Sequence, residues 1–240
     1  MIPLRDANPT RRRSILTLAT IAACFAVFAV ELWVQADGGD DALETFVRTY
    51  GAVPSRISQA IGGGDYFSTA TLGLLTSLFL HASWVHVLGN MLYLWIFGNN
   101  VEDRLGRPGF ALFYLTGGLI AGLSQVAVSP GSSVPLVGAS GAIAATLGAY
   151  LVLYPSARIE AIVFLGFFYQ LMRVPAVIVL GFWFVLQLLD GIASLGATTT
   201  GGGVAFFAHI GGFVFGMAIG LIVRTLRPRA ETPGWRGAVG

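Results

Sequence analysis

Charged side chains are scarce in this chain, at 11% of its 240 residues against roughly 25% in an ordinary soluble domain. Together with 55% hydrophobic residues and a mean hydropathy of +0.75, that scarcity excludes a conventional water-soluble globule. Cysteine is almost absent. The single thiol, Cys24, lies inside the first apolar run, so neither an intramolecular disulfide nor a multi-cysteine metal site can be built. Net charge is also small, at +2 with an isoelectric point near 8.9, and the basic residues sit in terminal and loop clusters rather than along one stripe. Nucleic acid is therefore not expected as a partner. The lipid bilayer is.

What the chain does have is a series of apolar runs, each on the order of 20 residues, separated by Gly, Pro and charge. Arg5, Arg11, Arg12 and Arg13 precede a run from Ser14 to Gln35 that is longer than the core of a typical signal peptide, which predicts a retained first membrane helix. Residues 36–80 mix Gly and Pro with short apolar pieces and are expected to form a long, partly membrane-embedded outer loop. Further helices are expected at 84–101, 110–128, 138–154, 174–189 and 204–223, with 138–154, the fourth in the chain, a short one. Between the fourth and fifth membrane helices lies Ser156–Arg173, whose apolar piece Ile162–Tyr169 is expected to be interfacial or re-entrant rather than a span. The predicted fold class is an all-α polytopic membrane protein of six transmembrane helices. Residues 1–13 then form a basic cytoplasmic tail, 14–225 the membrane domain and 226–240 a second cytoplasmic tail.

Six spans put both termini on one side, and short-loop arginines agree. Arg5 to Arg13, Arg104 with Arg107, Arg158 with Arg173, and Arg224 to Arg229 fall on the side predicted to be cytoplasmic. The loops at 129–137 and 190–203 hold no Lys or Arg; only Arg48 and Arg56, in the first outer loop, dilute the bias. A bacterial inner membrane, with the site opening to the outer face, is the expected setting.

Against this apolar background, His81, His86, Asn90, Ser140 and His209 stand out, because polar groups inside a membrane are costly and by default functional. In the predicted topology all five fall near the outer ends of the second, fourth and sixth helices. Ser140 opens the fourth helix within Gly138-Ala139-Ser140-Gly141, where free backbone N–H groups can meet a developing negative charge. A helix from Ser140 to Tyr154 covers only ~22 Å of a ~30 Å hydrocarbon core, so the serine is expected below the outer surface in a water-accessible cavity. Gly141, Ala145 and Gly148, facing Gly212 and Gly216, make small-residue stripes that permit close helix packing, as a Ser140 to His209 hydrogen bond requires. His86 and Asn90, four apart, share a helix face and are candidate donors to an oxyanion, together with the Ser140 N–H. His81 lies off that face and is expected to orient the loop.

Blander readings exist for each residue. A lone Gly-x-Ser-Gly is more often packing than chemistry, a lone histidine can relay protons, and three histidines invite a metal. The metal reading lacks a carboxylate on the second span, and the spacing of His81 and His86 is not that of a helical zinc pair. Glu31 and Asp190 read as helix-end residues at the interface, Trp33 and Trp84 as interfacial anchors, and the Phe-rich fifth helix as lipid-facing or packing surface.

The joint order of these motifs resembles the rhomboid family of intramembrane serine proteases: His81-Ala82-Ser83-Trp84-Val85-His86-Val87-Leu88-Gly89-Asn90, Glu102-Asp103-Arg104-Leu105-Gly106, Gly138-Ala139-Ser140-Gly141, and Ala208-His209-Ile210-Gly211-Gly212 with Gly216. The resemblance implies a six-helix core, a Ser140–His209 dyad, and an oxyanion hole of His86, Asn90 and the Ser140 N–H. It further implies transmembrane protein substrates and no metal, nucleotide or other cofactor. Two departures are visible. Leu72-Gly73 stands where the family usually has Trp-Arg, and Ala144 stands where an aromatic often packs on the base. Rival readings are a non-catalytic rhomboid-like protein that escorts membrane helices, expected to lack the serine or the histidine, and a small transporter, expected to show mid-membrane acids and an internal repeat.

Overall fold

The computed structural model describes residues 2–165, 168–195 and 205–226. Helices predominate: α1 (Ile15–Tyr50), α2 (Pro54–Gly62), α3 (Thr69–Thr76), α4 (Trp84–Tyr93), α5 (Asn99–Leu105), α6 (Arg107–Val128), α7 (Ser140–Leu153), α8 (Ala176–Ser194) and α9 (Phe206–Leu226). A π turn over Leu94–Gly98 joins α4 to α5 into one rod. Among the described residues, α1, α6, α8 and α9 are long and apolar enough to cross a membrane. Thr69–Phe79 and Trp84–Leu105, bent by 78° to each other, make a further candidate span, and α7 is the short one that the sequence leads one to expect. The polytopic helical bundle thus stands, as an integral membrane protein. The second predicted tail lies almost wholly in residues 227–240, outside the described residues, as do residues 196–204.

Two sequence expectations are corrected. The stretch 36–80 is not mainly loop. Gly39, at φ 74°, joins two helical rods so that α1 continues to Tyr50, and α2, α3 and a 3-10 turn at Ser77–Phe79 occupy most of the chain between Tyr50 and Leu80. The piece expected to be interfacial or re-entrant is extended at its described residues, 162–165 and 168–169. They belong to two paired strands, β2 (Arg158–Leu165) and β3 (Phe168–Pro175), and the N-terminal segment Ile2–Asp6 adds β1 to the other edge of β2 in the antiparallel order β1-β2-β3. Helical periodicity fails there because Val, Ile and Phe dominate a short run between charged ends. Glu160 takes Arg5 at 2.6 Å and Arg173 at 3.0 Å, tying all three strands together.

The sheet sits at the end of α7 opposite Ser140. Asp6 accepts hydrogen bonds from the Tyr150 hydroxyl at 2.8 Å and from Asn100 at 2.6 Å, and Asn8 donates to the same hydroxyl at 2.9 Å. Burial pushes the Asp6 carboxyl up to about 6, although its bond from Tyr150 pulls the other way. A carboxyl raised on folding adds stability that is complete below its ordinary value of 3.8 and is lost as pH rises through about 6. The midpoint of thermal unfolding in detergent is accordingly expected to be lower at pH 8 than at pH 5, and Asp6→Asn is expected to flatten that slope.

Glu102 and Asp103 hold the start of α1. Ser14 makes no side-chain cap; instead Glu102 accepts from the N–H of Leu16 at 3.0 Å and from the N–H and hydroxyl of Thr17, both at 2.8 Å. Asp103 accepts from the N–H of Arg11 and Arg12 at 3.1 and 3.0 Å. A carboxylate at a helix N-terminus satisfies otherwise orphaned donors and opposes the helix dipole. Glu102 is buried, so Glu102→Ala is expected to lower stability by about 1–3 kcal/mol, read as a fall in thermal midpoint without loss of helix content.

At the centre stands α7, buried without a break from Gly141 to Tyr150. A helix buried all round must present small residues to its neighbours, and here it does. A methyl on Gly216 would collide with the carbonyl oxygen of Ala145, one on Gly212 with that of Gly141, and one on Gly148 with that of Phe213. The stripes read in the sequence are therefore the surface on which α7 and α9 meet.

Candidate active site

Ser140 is the first residue of α7, so its N–H has no carbonyl four residues back to pair with inside the helix. Its position is fixed by the strand-like segment before it. Ala52 and Leu136 exchange backbone hydrogen bonds at 3.0 and 2.8 Å, and the Gly138 N–H donates to the Ser77 carbonyl at 2.9 Å. These contacts dock residues 136–138 on the first loop without a Trp-Arg pair. Gly73 lets α3 approach the end of α1 closely, since a methyl there would lie 2.7 Å from the Gly51 carbonyl oxygen.

His209 is in the first turn of α9, nearly buried, and its Nε2 lies 2.8 Å from Ser140 Oγ. Two close-packed helices make that distance possible, and Gly212 and Gly141 are among the residues at which their backbones touch. On the other side of the ring, Nδ1 lies 2.6 Å from Oε1 of Gln187 on α8. The Trp183 ring, one turn earlier on α8, packs against the imidazole with centroids 5.8 Å apart and planes at 38°.

His86 and Asn90 come from α4, whose first turn is capped by Ser83 Oγ accepting the His86 N–H at 3.2 Å. Both side chains reach over Gly138: a methyl there would lie 2.7 Å from His86 Nε2 and 3.3 Å from Asn90 Nδ2. Gly138 is at φ 116°, a backbone conformation that other residues adopt only under strain. The Asn90 amide nitrogen is buried and makes no hydrogen bond to the described residues, which leaves a donor free beside the serine loop. A cavity of about 30 Å³ opens beside Ser140, bordered by Ser77, Gly138, Gly141 and Ala208, with room for one water.

His81 stands outside α4. Its ring Nδ1 is 3.1 Å from the Phe79 carbonyl, and its edge meets the His86 ring with centroids 5.2 Å apart. Its backbone N–H donates to the carboxylate of Glu31 at 3.1 Å. Glu31 is thus not an interfacial helix-end residue. It is 3% exposed in the body of α1, because α1 runs on well beyond the apolar stretch.

The structure therefore gathers Ser140, His209, His86, Asn90, Gly138, Gly141 and Gly212 at one place, with His81 behind His86. Sequence reasoning missed Gln187 and Trp183. The signal for Gln187 was available, as a lone amide in an apolar helix, four residues after a tryptophan on the same face. Chemically, the cluster offers a hydroxyl bonded to an imidazole, beside amide and imidazole donors, which is the equipment of nucleophilic acyl transfer.

A family model described as Rhomboid domain matches residues 68–226, well over half of the chain. The presenilin-associated rhomboid-like protein, mitochondrial, of Mus musculus is 39% identical over 97 residues, 40% of this chain and 26% of that protein. Rhomboid protease GluP of Bacillus subtilis is 34% identical over 125 residues, 52% of this chain and 22% of that protein. Rhomboid-like protein 11, chloroplastic, of Arabidopsis thaliana is 44% identical over 69 residues, 29% of this chain and 24% of that protein. The chain spans about a quarter of the length of these curated relatives. With the motif order, the helical bundle and the family match in agreement, this chain belongs to the rhomboid family.

Proposed function

We propose that the chain is an intramembrane serine endopeptidase that hydrolyses peptide bonds in or near the transmembrane segments of other membrane proteins. The observation that carries this reading is the 2.8 Å contact between Ser140 Oγ and His209 Nε2 at the mouth of α7. In the first half-reaction His209 takes the Ser140 proton as Oγ bonds to the scissile carbonyl carbon. The carbonyl oxygen gains charge and is met by His86 Nε2, Asn90 Nδ2 and the Ser140 N–H. The proton then passes to the departing amine, leaving an acyl-serine. Water, activated by His209 in turn, releases the acid and restores the hydroxyl.

The positive-inside distribution of arginines orients both described ends of the chain toward one side and Ser140 toward the other. Relatives from mitochondria, a chloroplast and Bacillus subtilis do not single out a bacterial membrane, so the proposal concerns sidedness and not organelle. A fluorophosphonate probe tests the reading directly. Covalent labelling is expected in the unmodified protein and is expected to vanish in both Ser140→Ala and His209→Ala. Labelling equal to background in the unmodified protein would favour the rival, a rhomboid-like protein that binds transmembrane helices without cutting them.

A further inference from the structure

We propose that Gln187 is a positioning residue for His209, fixing the tautomer in which the imidazole can accept the serine proton. The proposal rests on the Ser140–His209 reading and adds a third side chain to it.

Neutral imidazole carries one N–H. If it sits on Nε2, that atom presents a proton to Ser140 Oγ and cannot receive one; if it sits on Nδ1, the Nε2 lone pair faces the hydroxyl. A carbonyl-type acceptor at Nδ1 selects the second arrangement. Gln187 Oε1 occupies that position at 2.6 Å, while Nε2 holds Ser140 Oγ at 2.8 Å on the far side of the ring. When the serine proton arrives at Nε2, the imidazolium keeps its Nδ1–H on the amide oxygen. Gln187 neither gains nor loses a proton at any step.

An amide suits this place better than a carboxylate. A charged group on a membrane-crossing helix carries a large desolvation cost, whereas an amide dipole supplies the acceptor at a fraction of it. The rest of α8 underlines how unusual the residue is: Val177, Ile178, Phe182, Val185 and Leu189 are exposed on the lipid-crossing surface, while Gln187 turns inward. Trp183, one turn away, walls the same ring and also packs on Phe213 with centroids 5.9 Å apart. Ala144 carries no ring to pack on the base, and α8 supplies both the wall and the acceptor.

Two readouts test this in proteoliposomes. Gln187→Met keeps the volume and removes the acceptor; it is expected to lower kcat for a reconstituted single-span substrate about 10- to 100-fold with KM within twofold. Gln187→Glu returns an acceptor oxygen and is expected to recover most of that loss. Unchanged kcat in Gln187→Met, or equal losses in Gln187→Met and Gln187→Glu, overturns the proposal. Solid-state NMR of ¹⁵N-histidine protein, with the His209 signals identified by difference against His209→Asn, reads the tautomer without any turnover. The proton is expected on Nδ1 in the unmodified protein and in Ser140→Ala, and on Nε2 or divided between the nitrogens in Gln187→Met. An Nε2 proton in the unmodified protein overturns the proposal even if cleavage is robust. A protein that cuts nothing but shows the Nδ1 proton refutes the protease reading and leaves the positioning role standing.

Discussion

Ser140→Ala and His209→Ala are each expected to lower kcat for cleavage of a reconstituted single-span substrate by at least ~10⁴-fold, Ser140→Ala with little change in thermal midpoint. The two losses are expected to overlap almost completely in the double variant. Nucleophile and base act as one unit: without Oγ there is nothing for His209 to deprotonate, and without Nε2 the hydroxyl is a poor nucleophile. The 2.8 Å contact makes this coupling concrete. Retention of substantial cleavage in either single variant would remove the dyad from the mechanism. Ser140→Ala removes a single oxygen atom and leaves no large cavity, so its fall in rate is not expected to reflect unfolding; His209→Ala empties a nearly buried ring site, and its thermal midpoint, measured alongside the rate, separates lost packing from lost chemistry.

Gly138→Ala is expected to lower kcat by ~10² to 10³-fold, comparable to the loss of one oxyanion donor. Two effects act together. Its φ of 116° strains any side chain, and the added methyl would lie at 2.7 Å from His86 Nε2, pushing that ring and the Asn90 amide away from the oxygen they are placed to meet. The backbone bond from Gly138 N–H to the Ser77 carbonyl resists the shift that would relieve the clash. If displacement of donors is the cause, Gly138→Ala combined with Asn90→Ala loses much less than the product of the single effects. A full product would mean that Gly138 acts by some other route, and steady-state kinetics on the three variants separates the two.

Much of the bundle was legible because membrane helices announce themselves by length and by what interrupts them. Ser140, His209, His86 and Asn90 were legible for the converse reason, as costly groups at recurring helix ends. Gln187 and Trp183 were marked only as a lone amide and a nearby aromatic in an apolar helix, and their role was not legible, because it depends on how α8 is rotated about its own axis. That rotation is set by packing on α9, through contacts such as Phe184 stacked on Phe213 at 4.4 Å, which no single-helix pattern encodes. Glu31 was misplaced for a different reason. The apolar run ends near Gln35, but the helix does not, and a buried carboxylate bonded to a distant backbone N–H cannot be foreseen from its own neighbours. The sheet escaped for want of a local signal, since β2 lies between two partners, one adjacent and one near the start of the chain.

That last pairing has a consequence in time. Ile2 faces Ile162 across the β1–β2 ladder, so the first strand leaves the ribosome with its partner still 160 positions away. At ~5 to 20 residues per second the wait is roughly 8 to 30 s, during which most of the membrane helices can be inserted. A strand made 160 positions ahead of its partner thus finds its place late. Its docking, with Asp6 reaching Tyr150 and Asn100, closes the bundle from the side opposite the serine and records that α7 has arrived.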